Sequence, residues 1–311
     1  MTDQTSDPPP LAPLVIAHRG ARAFAPENTL EAVEKAAAIG ADMVEVDVQL
    51  THDGQLVVVH DDTLDRCSDV RMRFPDRTDY RVPSFTLSGL RCLDAGSWFV
   101  RALREKPNER PAFLRSLSDA ETQQFIAPAD LEHFASGRVR PPTLEETLTL
   151  AERLGLRTNI ELKPATDCSA LVEPVLDLVR SLGVIGRVLI SSFDHASLRL
   201  VRSLDPAIAT GVLVRAPLGD PVAYCRLLGA AAYHPGCVPG ADCVGFDSAE
   251  FRVTGRLPAE PIRSLRAAGI AVNVWTENDP RRMQALIDAG VSGIFTDYPN
   301  RLVELLRGTG R

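Results

Sequence analysis

The feature of this sequence that most constrains its fold is a regular alternation of short apolar runs and amphipathic segments. From Thr158 onward, each run of β-branched and apolar residues is followed by a turn and a segment with apolar side chains three or four positions apart. One such segment has this spacing at Leu171, Val175, Leu178 and Leu182, which is typical of one helix face. Repetition of this unit predicts a parallel sheet covered by helices.

Eight runs have this strand character. They are Leu14–Ala17, Met43–Val48, Asn159–Leu162, Val188–Ser191, Thr210–Val214, Cys243–Asp247, Ala271–Thr276 and Ile294–Thr296. A ninth run, Leu56–His60, follows the second after a short Asp-Gly turn, which is too short for a parallel crossover and predicts an antiparallel hairpin. Eight βα strands are the number that closes a barrel, so the sequence predicts an α/β fold of the TIM (β/α)8 barrel class.

The segment at about 99–140 interrupts this rhythm, with several prolines and charges and no clear strand. It is longer than the usual connection between elements, which indicates a small subdomain or a lid-like loop. We therefore predict a flexible tail over residues 1–13 and one barrel domain over 14–311. The segment at about 99–140 is then a small insertion on the active-site face.

Charge and apolar patterning disfavour several partners. Lys and Arg number 34 against 41 Asp and Glu, and no basic run is present, which disfavours nucleic acid. No stretch approaches the roughly 20 apolar residues of an integral membrane segment, and the first ten residues do not resemble a signal peptide. The six cysteines include no Cys-x-x-Cys pair, which predicts reduced thiols in a cytoplasmic protein. The sequence leaves the oligomeric state open.

Two acids share one face of the second predicted strand. Glu45 and Asp47 are two positions apart, and strand side chains alternate between faces. Such neighbours repel each other unless a divalent cation lies between them. Glu161 lies near the end of another strand, and barrels gather their chemistry at the carboxyl ends of strands. The three acids predict a site for a hard cation, Mg²⁺ or Ca²⁺, and a structural network with Arg or Lys is the alternative.

Two histidines close apolar runs and open polar turns. His18 and His60 each follow a predicted strand, which fits a general acid or base at the barrel mouth, although a hydrogen-bonded structural histidine fits as well. Arg19 precedes Gly20, whose turn allows close approach of a ligand to the backbone. Together with Lys163, Arg19 supplies positive charge for an anionic substrate, and its guanidinium matches a phosphate bidentately.

Other residues near strand ends have less specific patterns. Trp275 ends a strand and fits either an apolar wall of a substrate site or core packing. Asp297 ends the last strand, where we favour capping of the next helix. The remaining histidines are interpreted as surface or structural residues of turns or helices; they are His52, His133, His195 and His234. A dinucleotide glycine fingerprint, a P-loop and a Gly-x-Ser-x-Gly elbow are absent from the sequence, which disfavours those three chemistries.

The motifs taken in order resemble the glycerophosphodiester phosphodiesterase family, over residues 14 to 305. They are His18-Arg19-Gly20, Pro26-Glu27-Asn28-Thr29, Gly40-Ala41-Asp42, Glu45-Val46-Asp47-Val48, Leu50-Thr51, Asp53-Gly54, His60-Asp61, Pro142-Thr143-Leu144-Glu145-Glu146, Glu161-Leu162-Lys163, Ser192-Phe193, Trp275-Thr276 and Thr296-Asp297-Tyr298-Pro299. The segment from Arg101 to His133 is longer and less recognisable than the usual link of the family.

The resemblance implies a TIM barrel with a divalent metal held by Glu45, Asp47 and Glu161. It also implies an acid–base pair, His18 and His60, and phosphate contacts from Arg19 and Lys163. The implied reaction is hydrolysis of a small glycerophosphodiester to sn-glycerol 3-phosphate and an alcohol.

Two alternatives use the same core. A lysophospholipase D-like phosphodiesterase would differ in accepting an acyl chain at the barrel mouth. A barrel that only binds phosphorylated ligands would not require a pair of titratable imidazoles.

Overall fold

Parallel pairing of successive strands closes a barrel in the computed structural model, which describes residues 12–164, 168–216, 218–236 and 259–308. The strands are β1 (Leu14–Ala17), β2 (Met43–Leu50), β3 (Leu56–Val58), β4 (Arg157–Leu162), β5 (Val188–Ser192), β6 (Ala209–Val214), β7 (Ala232–Pro235), β8 (Ala271–Val274) and β9 (Gly293–Thr296). All but β3 form the ring, in chain order, and β1 pairs with both β2 and β9. The predicted eight-stranded TIM barrel is confirmed within the described residues.

Helices cover the outside of this ring, and three of the helices named below lie between residues 97 and 134. Those described are α1 (Leu30–Ile39), α2 (Val70–Arg73), α3 (Leu87–Leu90), α4 (Ser97–Arg104), α5 (Asp119–Phe125), α6 (Pro128–Phe134), α7 (Leu144–Arg153), α8 (Cys168–Ser181), α9 (His195–Leu204), α10 (Pro221–Leu228), α11 (Ala259–Ala267), α12 (Pro280–Asp288) and α13 (Pro299–Gly308). The first begins at Thr29, whose hydroxyl accepts from the backbone of Ala32, and it ends at Gly40 in the left-handed conformation. The apolar faces of the helices around the ring pack on buried strand residues such as Val46 and Ile160.

The predicted hairpin is confirmed. β3 pairs antiparallel with β2, with Val48 opposite Val58, and the turn between them contains Gly54 at a φ of +72°. Because β3 lies beside the second barrel strand instead of inside the ring, the chain that follows it returns to the barrel mouth at His60.

The prediction of the sixth barrel strand is wrong. Its place between β6 and β8 is taken by Ala232–Pro235, whereas Cys243–Asp247 lies outside the described residues. The true strand is short and contains a histidine and a proline, so it lacks a β-branched pattern. His234 therefore lies in a strand, fully buried, and its ring fills the space beside Gly211, where an added Cβ would come within 2.6 Å of the imidazole. Its interpretation as a structural residue fits that burial.

Helices α4 to α6 pack on one side of the barrel, and we call this region the 97–134 segment. The Tyr298 hydroxyl donates to the carbonyl of Phe113 at 2.6 Å. Glu121 pairs with Arg301 of α13 at 2.7 Å, and Asp130 pairs with Lys35 of α1 at the same distance. Because Tyr298 lies two residues after the carboxyl end of β9, these contacts support our proposal that the segment is an insertion on the active-site face.

Two further predictions concern the N-terminal tail and membrane-spanning segments. The predicted tail lies outside the described residues except for positions 12 and 13. Among the helices that the structure describes, none combines the length and the apolar character needed to cross a bilayer.

Candidate active site

A cleft at the carboxyl ends of the barrel strands contains the side chains singled out in the sequence. It is open to solvent and has a volume of about 680 Å³. Parallel pairing places Asp47 of β2 directly beside Glu161 of β4, and His18 follows the end of β1. The lining residues are His18, Arg19, Glu45, His60, Asn159, Glu161, Lys163, Ser191, Phe193, Leu213, Arg215, Trp275 and Phe295.

Three carboxylates converge at the floor of the cleft. One oxygen from each of Glu45, Asp47 and Glu161 lies within 4.8 Å of the other two. Glu45 and Asp47 are buried, and Glu45 Oε1 and Asp47 Oδ1 have no hydrogen-bond partner among the described residues. Buried carboxylate oxygens without donors are costly, and oxygen ligands at this spacing suit a hard divalent cation. The three residues thus fit a metal site.

Like charges are crowded together at the floor of the cleft. Burial, together with the charges of Asp47 and Glu161, raises the pKa of Glu45 well above its ordinary value. Burial also acts to raise the pKa of Asp47, but Lys163, His60 and Arg19 lower it below its ordinary value. The neighbouring acids thus differ in proton affinity, as expected when like charges share one buried space.

Arg19 and Lys163 provide part of the compensating charge. Lys163 Nζ lies 3.1 Å from Glu161 and 3.4 Å from Asp47, and Arg19 Nε lies 3.5 Å from Asp47. Arg19 has a φ of +55°, and its backbone N–H donates to Glu45 at 2.8 Å. The alternative prediction, a network of the acids with Arg or Lys, is therefore present in part. It still leaves Glu45 Oε1 and Asp47 Oδ1 without a hydrogen bond among the described residues, with Lys163 Nζ 3.4 Å from Asp47 Oδ1.

Two residues from the Pro-Glu-Asn-Thr motif support this floor, a role that sequence reasoning missed. The Asn28 amide donates to Asp47 at 2.8 Å. Glu27 accepts from Arg19 at 2.8 Å and from Arg66 at 2.7 and 2.8 Å. The motif therefore orients Arg19 and one carboxylate of the acidic cluster. In the sequence, Asn28 and Glu27 lie two and three residues before α1, and this position alone does not indicate which side chains they contact.

Each predicted catalytic histidine is held by a carboxylate on the same ring nitrogen. His18 Nδ1 donates to Asp297 at 2.8 Å, and His60 Nδ1 donates to Asp61 at 2.6 Å. Both rings line the cleft, and neither Nε2 has a hydrogen-bond partner among the described residues. Because an ionised carboxylate only accepts, it fixes the Nδ1–H tautomer and leaves Nε2 able to exchange a proton.

The environments of the two carboxylates differ. Burial lowers the pKa of His18 to about 4, although Asp297 opposes this change, so this imidazole is neutral at pH 7. Burial raises the pKa of Asp297, but Arg22 and His18 outweigh it and bring the pKa to about 2. Asp61 is more exposed and is held by Arg66 at 2.6 Å.

The predicted helix-capping role of Asp297 is wrong. One carboxylate oxygen accepts from His18, and the other accepts from Asn278 at 2.7 Å. Arg22 Nε lies 3.1 Å from the first oxygen. The side chain is thus turned from α13 into the barrel mouth, where three cationic or donor groups face it.

Aromatic side chains form the opposite wall of the cleft. The Trp275 indole Nε1 donates to the carbonyl of His234 at 2.8 Å, and its ring meets Phe193 edge-on at 5.3 Å between centroids. Trp275 is half-buried and also packs beside the small cluster of Ile16 and Phe295. The two predicted roles of Trp275, packing and lining of the cleft, therefore occur together.

Comparisons with known proteins agree with this geometry. Residues 18–301 match the model of the glycerophosphoryl diester phosphodiesterase family. A glycerophosphodiester phosphodiesterase of Caldanaerobacter subterraneus is 31% identical over 96% of this chain and 99% of its own. One of Bacillus subtilis is 29% identical over 95% of this chain and 87% of its own.

Solved structures show the same likeness. A phosphodiesterase of Oleispira antarctica, in complex with the product sn-glycerol-3-phosphate, superposes with a TM-score of 0.71 at 25% identity, over 95% of this chain and 97% of its own. A structure of a protein from Silicibacter pomeroyi described as a glycerophosphoryl diester phosphodiesterase gives 0.74 at 26% identity, over 97% and 95%.

Proposed function

This chain belongs to the glycerophosphoryl diester phosphodiesterase family, and from that premise we propose that it hydrolyses glycerophosphodiesters to sn-glycerol 3-phosphate and an alcohol. The observation that best supports the proposal is the pairing of two carboxylate-held histidines with an acidic cluster in one cleft. Ligand binding alone does not require two imidazoles, each with one ring nitrogen open to the cleft. The small anionic substrate is the only partner that the proposal requires.

We propose that Glu45, Asp47 and Glu161 hold a divalent cation, Mg²⁺ or Ca²⁺. Two buried oxygens that make no hydrogen bond among the described residues, and the spacing of the three acids within 4.8 Å, support this assignment. When bound, such a cation neutralises negative charge on the phosphoryl oxygens. Lys163 has a pKa raised by Asp47 and Glu161 against the effect of burial. It therefore stays protonated and, with Arg19, supplies positive charge to the phosphate.

We propose that His18 and His60 divide the proton transfers. A neutral His18 has a free lone pair on Nε2, which suits removal of the proton from the attacking oxygen, whether water or a substrate hydroxyl. As the acid, His60 must enter the reaction with a proton on both ring nitrogens; it then donates the Nε2 proton to the oxygen of the departing alcohol and keeps the Nδ1–H that is donated to Asp61. Asp297 and Asp61 keep the two rings oriented and favour the charged imidazole that each transfer requires.

The experiment that tests this proposal measures hydrolysis across a panel of substrates, as glycerol 3-phosphate released from the small diesters and as acyl-glycerol phosphate released from a lysophospholipid. The panel contains glycerophosphocholine, glycerophosphoethanolamine, glycerophosphoglycerol and a lysophospholipid, first with EDTA and then with Mg²⁺, Ca²⁺ or Mn²⁺. Metal-restored turnover of a small diester is the expected result. Turnover of the lysophospholipid alone would favour the lysophospholipase D-like activity, and no turnover would favour the binding barrel. The cytoplasmic location stays a prediction from the sequence.

A further inference from the structure

The aromatic wall carries a cation that the mechanism above does not use. Arg215 directly follows β6, lines the cleft and is exposed. Its guanidinium carbon lies 4.2 Å from the centroid of the Phe193 ring. A guanidinium stacked on an aromatic face keeps its N–H groups directed outward, where they can donate to a ligand.

The surface under this guanidinium is held in place. Phe193 meets the Trp275 ring at an interplanar angle of 80°, and the Trp275 indole is anchored on the carbonyl of His234. Gly236 leaves the room that the indole occupies, since an added Cβ would lie 2.1 Å from the ring. Arg215 therefore stacks on a packed platform, which lowers the entropy lost when its charge engages a ligand.

Among the described cations that line the cleft, Arg215 differs from Arg19 and Lys163 in having no carboxylate of a described residue beside its charge. Arg19 and Lys163 each face carboxylates at 3.5 Å or less. Arg215 has no ion pair with a carboxylate of any described residue, and its contact with Phe193 leaves its charge intact. A charge without a counterion at the edge of a cleft attracts the opposite charge and repels its own.

We propose that Arg215 is a specificity-determining residue that selects phosphodiesters whose substituent on this wall carries a negative charge, such as a phosphate or carboxylate. This inference rests on the proposed function. A quaternary ammonium group is disfavoured on this wall for two reasons. The Arg215 guanidinium already stacks on the ring of Phe193, where an ammonium group would otherwise bind, and the positive charges of the guanidinium and the ammonium repel each other.

The experiment compares kcat/KM for glycerophosphoinositol 4-phosphate, whose substituent carries an anionic phosphate, with kcat/KM for glycerophosphocholine, whose substituent carries a cationic ammonium group. In Arg215→Gln, we expect kcat/KM to fall about tenfold for the first and to rise about threefold for the second. Arg215→Lys keeps the charge and is expected to retain most of the preference. Arg226→Gln is the matched control, because it removes an exposed charge from the far end of α10 and leaves the ratio unchanged.

Ionic strength gives a second readout that a structural effect would not change. The substrate preference of the natural protein should weaken as salt rises, and that of Arg215→Gln should not. An unchanged ratio in Arg215→Gln, with both diesters hydrolysed, would overturn the role of Arg215 and leave the proposed function intact. Absence of turnover on every diester in the natural protein would overturn both.

Discussion

Replacement of Asp297 by Asn tests how the cleft controls His18. The carboxylate is 3% exposed, and its surroundings hold its pKa at about 2, against an ordinary value of 3.8. Because one pKa unit corresponds to about 1.4 kcal/mol, these surroundings favour the ionised form by roughly 2 to 3 kcal/mol. Asn removes that charge and leaves Arg22 without its 3.1 Å partner. We expect the free energy of unfolding to fall by roughly 2 to 3 kcal/mol at pH 7.

The pH dependence of this loss has a defined sign. A folded-state pKa below the unfolded value stabilises the protein above pH 3.8, and this contribution disappears as pH falls toward 2. The difference between the natural protein and Asp297→Asn should therefore be complete at pH 7 and roughly half as large at pH 3. Urea unfolding followed by tryptophan fluorescence measures it. Asp288→Asn, at the exposed end of α12, is the control and should change stability by less than about 0.5 kcal/mol.

Activity provides the second measurement on Asp297→Asn. An Asn amide does not enforce the Nδ1–H tautomer of His18, and the barrier to proton transfer rises when Nε2 carries the proton instead. We expect kcat to fall by about 10²- to 10⁴-fold with KM changed little. A coupled assay of glycerol 3-phosphate release measures both constants. A kcat within about threefold of the natural protein would refute the argument that Asp297 positions His18.

Three further predictions use other parts of the structure. Glu161→Gln should weaken Mg²⁺ or Ca²⁺ binding by roughly tenfold or more in calorimetry, and full affinity would remove it as a ligand. His60→Ala should fold normally and lose about 10²-fold or more in kcat, and an unchanged rate would exclude it from proton transfer. Glu121→Gln should lose about 1 to 2 kcal/mol at pH 7, allowing for solvent screening. Burial acts to raise the pKa of Glu121, but hydrogen bonds from Arg301 and Ser118 outweigh it and bring the pKa to about 2. The loss of stability should therefore shrink as pH falls below 4.5, and urea unfolding measures it.

The barrel and the convergence of the site were predictable because they follow from the spacing of apolar residues along the chain and from the common direction of the parallel strands. Parallel strands place their carboxyl ends at one rim, so residues at those ends meet whatever their distance along the chain. Glu45, Asp47, Glu161 and His18 are brought to one cleft in this way, and the antiparallel β2–β3 hairpin returns His60 to it. Their chemical roles stay predictions, since geometry alone does not test them.

The errors have a common physical origin in tertiary context. Ala232–Pro235 has no strand pattern of its own and becomes a strand because Gly211 leaves room for the buried His234 ring. Asp297 has the sequence context of a helix cap, and only the closed ring brings it to His18, 279 positions earlier in the chain. Arg215 is a single cation after a strand, and its platform is assembled from two other strand ends.

The two histidines depend on structure outside the barrel, whereas the acidic cluster depends on the barrel itself. His60 and its partner Asp61 lie on the chain that follows the β2–β3 hairpin. Asp297 faces Arg22, whose guanidinium stacks 3.9 Å from the Phe113 ring of the 97–134 segment. Two acids lie within β2 and the third within β4, in parallel register. Changes in the hairpin or the 97–134 segment should therefore alter proton transfer more than metal binding, because each of them touches a histidine network, whereas the carboxylates lie on strands of the barrel.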